Sequence, residues 1–267
     1  MANSGSGNSK IKKYLKGFWI SFISSLILTA LFFICVGYGL FGKMPTFEEL
    51  ENPKSNLATE VISSDGKLLG KYYIENRSNT PYQELSPNVI NALIATEDAR
   101  FEKHSGVDAI AIFRVAWGVA TGSSKGGGST ITQQLAKNLF PRKQNRSFLE
   151  TVLIKFKEWI TAIKLERNYS KDEILAMYLN TVDFGSQSYG IKSAAKTYFN
   201  KDPGQLKVEE AAVLIGILKA PTWFSPVRNP NRAFERRNTV MHQMMKYDYI
   251  TSAEFDSLKT LPVDMSN

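Results

Sequence analysis

The 267-residue chain has room for one good-sized domain plus an appendage, and 43% hydrophobic with 22% charged residues is ordinary globular composition, without a low-complexity tract beyond the first nine residues. Four of the positives behind the formal charge of +8 are Lys10, Lys12, Lys13 and Lys16; the remaining excess, about +4, is too small to argue for nucleic acid, and no basic-aromatic stripe appears, but it suits anionic head groups or a pyrophosphate. Cys35 is the only cysteine, which excludes an intramolecular disulfide.

Phe18 to Phe41 is a run of 24 residues without a charge. As a helix it would span roughly 36 Å at 1.5 Å per residue, enough to cross a hydrocarbon core of about 30 Å with some tilt. Four lysines precede it and only Lys43 follows closely, so the N-terminus is predicted to be cytoplasmic. A cleaved signal peptide is the competing reading. Its apolar region is usually about 7–15 residues and ends at a small-x-small site; this run is longer and Gly37 to Phe41 matches poorly, which favours an uncleaved anchor.

Pro45 to Pro53 reads as a short acidic linker. Ala58–Ser63 and Lys67–Ile74 read as extended stretches around an Asp65-Gly66 turn, a good hairpin signal. From Ser86 onward nearly everything reads as helix. Ser86-Pro87 places a cap and a first-turn proline before a helix over Val89–Lys103. Thr130-x-x-Gln133, Ser147-x-x-Glu150, Ser170-x-x-Glu173 and Thr251-x-x-Glu254 fit the capping-box pattern. Pro141, Pro203, Pro221 and Pro262 fall where helices should stop, and Asn229-Pro230 should open another that runs to about Tyr247. With neither an internal repeat nor β-α alternation, the expected fold class is mainly α.

Four constellations could carry chemistry. In Glu97-Asp98-Ala99-Arg100-Phe101-Glu102-Lys103-His104-Ser105-Gly106, a helix continued to Lys103 would put Glu97, Arg100 and His104 on one face. A solvated helix end with an i, i+3 ion pair is the commoner meaning of that spacing. Val89, Ala92, Leu93 and Thr96 should bury the helix, however, so Glu97 should meet a cavity or interface, where a desolvated carboxylate suits a general base. Gly126-Gly127-Gly128-Ser129-Thr130-Ile131-Thr132-Gln133-Gln134 is a flexible loop feeding a capped helix, a place where anions bind, although taken alone such a loop is more often a mere mobile connector. Gln134, Lys137 and Asn138 share a face of that helix. On the helix from Phe148 to about Arg167, Val152, Phe156, Trp159 and Ile163 form an apolar stripe beside Lys155, Lys157 and Glu158, which alone is an ordinary amphipathic helix. The glycines and aromatics from Tyr178-Leu179-Asn180 through Phe184-Gly185 and Tyr189-Gly190 to Tyr198-Phe199 suggest tight helix packing.

Together, in order and spacing, these residues resemble the family 51 glycosyltransferases, the peptidoglycan polymerases found alone or at the N-terminus of class A penicillin-binding proteins. Glu97-Asp98-x-x-Phe101-x-x-His104-x-Gly106 is similar to the first family motif, and Gly127-Gly128-Ser129-Thr130-x-x-Gln133-Gln134 to the second. Tyr178-Leu179-Asn180 and Glu210-Ala211-Ala212 to Pro221 look like later motifs, and Phe47 to Pro53 looks more like the bifunctional proteins. The third motif usually reads Arg-Lys-x-x-Glu; here Ile154 stands for the arginine before Lys155 and Glu158, and Lys157, near the same face, is the expected partial replacement.

The resemblance implies a lysozyme-like helical domain over residues 58–262, with a small membrane-proximal lobe and an N-terminal β-hairpin, after a basic tail (1–17), an anchor (18–41) and a linker (42–57). It implies that lipid II is polymerised into β-1,4-linked glycan, with Glu97 as base and Glu158 as the second essential glutamate, positioning the donor. Asp98, Arg100, Phe101, His104, Ser129, Thr130, Gln133, Gln134, Lys137, Asn138, Lys155, Lys157 and Asn180 are the implied substrate-binding residues. A divalent cation, Mg or Mn, is left open, with Asp98 as the side chain to help bind it, though no metal-ligand cluster is visible. The implied setting is the outer face of the bacterial cytoplasmic membrane, with lipid II, the growing strand, membrane lipid and other cell-wall synthesis proteins as partners. Ser64-x-x-Lys67 and Ser193-x-x-Lys196 match one short transpeptidase motif by chance, since no Lys-Thr-Gly follows.

Overall fold

A computed structural model describes residues 5–42, 44, 59–63, 68–72, 80–123, 127–138 and 147–265, and it is mainly helical. The Asp65-Gly66 turn, Pro141 and the middle of the Gly122–Gly128 loop lie outside the described residues. The chain divides into two compact units: residues Met1–Met44 with Lys143–Ile160, and Pro45–Arg142 with Thr161–Asn267.

The first unit is built on α1 (Gly5–Gly37) and the start of α5 (Phe148–Asn168). Within α1, Ile11–Gly37 is long and apolar enough to cross a membrane, with mean hydropathy 2.4, and it is the one such helix among the described residues. Phe18, Trp19, Phe22, Leu26, Ile27 and Leu31 point outward, an arrangement that lipid stabilises and water does not. The helix starts earlier and stops earlier than the uncharged run: Tyr38–Phe41 fold as turns around Gly39, at φ 78°. Phe156 of α5 sits edge-on to Phe32 and Phe33, at 5.1 and 4.9 Å between centroids, and to Trp159 at 5.5 Å.

In the second unit β1 (Thr59–Ile62) pairs antiparallel with β2 (Leu68–Tyr72), Thr59 opposite Tyr72 and Glu60 opposite Lys71, with an irregularity between Val61 and Ile62. The helices are α2 (Pro87–Glu97), α3 (Ala109–Ala120), α4 (Ile131–Asn138), the remainder of α5, α6 (Lys171–Thr181), α7 (Ile191–Phe199), α8 (Val208–Leu218), α9 (Pro230–Lys246) and α10 (Ser252–Leu258). Central to the core is α8, buried at every position from Glu210 to Ile217, because it is apolar all round and packs on both α2 and α9. Gly216 permits the close approach of α9: a Cβ there would stand 3.1 Å from Cγ of Arg236. The four capping boxes form as the sequence predicts, at Thr130, Ser147, Ser170 and Thr251.

Two sequence expectations are corrected. The helix expected to reach Lys103 ends at Glu97, so Glu97, Arg100 and His104 do not share a helix face. Asp98 leaves helical geometry (φ −157°, ψ 73°) because its carboxylate is bound by groups distant in sequence, and a short 3-10 turn, Phe101–Lys103, follows. On α5, the stripe Val152, Phe156, Trp159 and Ile163 is only half-buried. Glu158, Thr161, Ala162 and Leu165, at spacings of three, four and seven, are the buried residues.

Candidate active site

The buried end of α2 sets the position of Glu97. Ser86 caps the helix, accepting from Asn88 N–H and donating to the Leu206 carbonyl at 2.9 Å, while Val89, Ala92 and Leu93 are fully buried. Thr96 and Glu97 are half-buried. Glu97 Oε2 accepts from Gln134 Nε2 at 2.9 Å, and Gln134 Oε1 accepts from the Tyr178 hydroxyl at 2.9 Å. Only one orientation of the amide satisfies both neighbours, since a flipped amide would set oxygen against carboxylate. Burial, and then the charge of Glu97, push the Tyr178 phenol well above its ordinary value, so it remains a donor. The resulting chain, Tyr178 to Gln134 to Glu97, orients one carboxylate oxygen; Oε1 has no hydrogen bond among the described residues.

Next to Glu97 in the chain stands a buried carboxylate. Asp98 accepts from His104 Nε2 at 3.0 Å and from the Ile131 N–H, the first residue of α4, at 3.1 Å. The side chains of His104 and Asp98 are only 4% and 5% exposed, so the pair ties the first motif to the second away from solvent. Both Asp98 oxygens therefore face donors, which does not fit a divalent cation at this carboxylate. No group of three or more His, Cys, Asp or Glu side chains suited to a metal occurs among the described residues. Phe101 is fully buried and edge-on to the His104 ring.

Arg100 pairs with Asp108 at 2.9 Å, and not with Glu97 as the helical spacing suggested. Asp108 also caps α3, accepting from Ile110 and Ala111 N–H. Burial alone would raise its pKa; the Ala111 N–H, Arg100 and the Ile110 N–H outweigh burial and hold it below the usual carboxylate range.

Thr130 and Gln133 are buried, and their side chains close the α4 cap; the Thr130 hydroxyl also donates to Gly106 O at 2.7 Å. Gly106 lies at φ 91°, and a Cβ would stand 2.7 Å from the Ala162 carbonyl. Asn180 bonds the Thr80 backbone with both ends of its amide, at 2.8 and 3.0 Å. Thr130, Gln133 and Asn180 thus hold the frame. Ser129, Gln134 and Asn138 are half-buried and Lys137 is exposed, with Gln134, Lys137 and Asn138 on one face of α4.

In the first unit Lys155 pairs with the buried Glu158 at 2.8 Å, and Lys157 donates to the Phe41 carbonyl at 2.9 Å, next to the half-buried Ile154. The Lys157 ammonium, expected to replace the missing arginine, thus holds the chain just beyond α1.

Sequence reasoning placed Tyr178 in a later motif without giving it a role, and missed Arg236 of α9. Burial holds the Arg236 guanidinium below its usual pKa while the Glu97 charge pulls the other way. It missed also the Glu166–Lys171 pair, which reaches Thr132 and His104. Its only signal in the chain is the presence of two opposite charges across the start of α6.

Residues 65–245 match the family model described as transglycosylase. Penicillin-binding protein 1A of Escherichia coli K12 is 36% identical over 90% of this chain, that of Aquifex aeolicus 38% over 82%, and penicillin-binding protein 1F of Bacillus subtilis 42% over 74%. The chain spans 29%, 31% and 27% of the length of these relatives. The crystal structure of penicillin-binding protein 1A from Haemophilus influenzae matches 80% of this chain and 22% of that one, at 23% identity and TM-score 0.46.

Proposed function

The chain belongs to the transglycosylase family, and from that premise we propose that it is a peptidoglycan glycosyltransferase that polymerises lipid II at the outer face of the bacterial cytoplasmic membrane. The observation that carries this reading is the Glu97 carboxylate, aimed by Gln134 from the buried end of a helix. Glu97 takes the proton from the 4-hydroxyl of the acceptor N-acetylglucosamine. That oxygen bonds to C1 of the donor N-acetylmuramic acid as the bond from C1 to the pyrophosphate oxygen breaks, which inverts the anomeric centre. Polyprenyl pyrophosphate leaves with the electron pair, and its charge needs fixed cations. Lys155, held by Glu158, and the exposed Lys137 are assigned that work. Glu158 itself positions the donor. Lys157 is engaged by a backbone carbonyl and is given the lesser part.

Around this chemistry the resemblance supports a lysozyme-like larger lobe over residues 58–262, a smaller lobe near the bilayer and a β-hairpin, following a basic tail (1–17), an anchor (18–41) and a linker (42–57). With four lysines before the uncharged run that starts at Phe18, the N-terminus is assigned to the cytoplasm and the domain to the other side. A substrate with a polyprenyl tail stays in the bilayer, so an anchor keeps enzyme and substrate on one surface; other cell-wall synthesis proteins are the further partners. The test is lipid II polymerisation in detergent beside Glu97→Gln. Polymer from the parent and none from the variant is expected, while polymer from both would remove Glu97 as the base. Release of sugar fragments from finished glycan would point instead to a cleaving enzyme.

A further inference from the structure

We propose that the Glu166–Lys171 pair is a positioning clamp that sets the register of α4, and through it the aim of Gln134 at Glu97. The proposal rests on the polymerase reading of Glu97. Glu166 is at the end of α5 and its side chain is 4% exposed; Lys171 opens α6. The Lys171 ammonium lies 2.7 Å from Glu166 Oε2 and 2.9 Å from Oε1, donates to the His104 carbonyl at 2.8 Å, and stands 4.1 Å above the centre of the Phe101 ring. Its donors are matched by acceptors and one side by a ring face, an arrangement that stabilises a cation whose side chain is only 22% exposed.

Glu166 Oε1 also accepts from the Thr132 hydroxyl at 2.6 Å. Consequently the first turn of α4 is tied at three points: the Ile131 N–H to Asp98, the Thr132 hydroxyl to Glu166, and the Gln134 amide to Glu97. The first and third ties reach neighbours in the chain that α2 positions. The second reaches the end of α5 and, through Lys171, the start of α6, which also holds α4 through the Tyr178–Gln134 bond. Lys171 meanwhile holds the His104 carbonyl, so one ion pair reaches both the motif that contains Glu97 and the one that contains Gln134. Neither residue stands in the constellations read from the sequence. Because a reacting group displaced by about 1 Å can cost about a hundredfold in rate, a clamp remote from substrate should act on kcat.

The test uses the full chain in detergent with Lys171→Met, Lys171→Arg and Thr132→Val, the last removing a hydroxyl and keeping the volume. Lipid II kcat and KM are measured together with hydrogen exchange of the peptide over residues 129–138. The clamp requires kcat to fall at least about tenfold in Lys171→Met, and measurably in Thr132→Val, with KM changed less than about twofold. Exchange in the first turn of α4 should quicken in both variants and return toward the parent in Lys171→Arg. Parental kcat and parental exchange in Lys171→Met would overturn the proposal, as would a loss confined to KM. A loss of cooperative melting that Lys171→Arg does not restore would also overturn it, since the pair would then serve folding alone. If the parent makes no polymer, the polymerase reading fails, and unchanged exchange in Thr132→Val and Lys171→Met still overturns the clamp.

Discussion

Tyr178→Phe is the sharpest probe of how Glu97 is aimed. The substitution removes one oxygen from a residue 2% exposed and leaves the ring in place. What it takes away is the 2.9 Å bond to Gln134 Oε1, so the amide that holds Glu97 loses its far anchor. A neutral hydrogen bond contributes about 0.5–1.5 kcal/mol, and an acceptor left buried without a partner costs about 1–3 kcal/mol. The expected loss of stability is therefore about 1–2 kcal/mol, a fall in melting temperature of roughly 2–8 °C for a domain of this size. If about 1 kcal/mol of the same loss appears in the transition state, kcat falls about fivefold. Gln134→Leu, which removes a bond to a charged group worth about 1.5–3 kcal/mol, should lower kcat roughly tenfold to a hundredfold. The decisive measurement is the double-mutant cycle in lipid II polymerisation. Once Gln134 is leucine the relay is already broken, so adding Tyr178→Phe should cost little further rate. Equal rate losses from Tyr178→Phe in both backgrounds would refute the relay, and so would a parental kcat for Tyr178→Phe alone.

Two further outcomes follow from the frame around the site. Asp108 has a folded-state pKa below its ordinary value, so its contribution is present above the unfolded pKa and is lost as pH falls through the folded one. Asp108→Asn should lower the melting temperature at neutral pH and approach the parent in acid; a deficit that persists unchanged below the folded pKa would contradict the assignment. Gly106→Ala should be far more costly than its size suggests, about 2–4 kcal/mol, because the new Cβ would meet the Ala162 carbonyl at 2.7 Å with φ at 91°. Gly127→Ala, with nothing within 4 Å, should cost under about 0.5 kcal/mol, and similar thermal melts for the two would dispose of the contrast.

The sequence by itself determined whatever is decided within a few residues. An apolar run long enough to span a bilayer, prolines that open α2 and α9, and capping boxes at Thr130, Ser147, Ser170 and Thr251 all follow from spacing, because both partners lie within one helical turn. The motifs around Glu97 and Gln134 are legible for the same reason, and they carried the family before any coordinates did. Tertiary structure alone decided where α2 ends, since Asp98 is drawn out of the helix by an N–H 33 residues away. It decided also that Tyr178, 44 residues from Gln134, completes the relay, and that Glu166 reaches Thr132 across 34 residues. Asn180, which looked available to substrate, closes on Thr80, 100 residues distant. A polar side chain satisfies itself with whichever partner the folded core brings near, and local spacing along a chain holds no record of that partner.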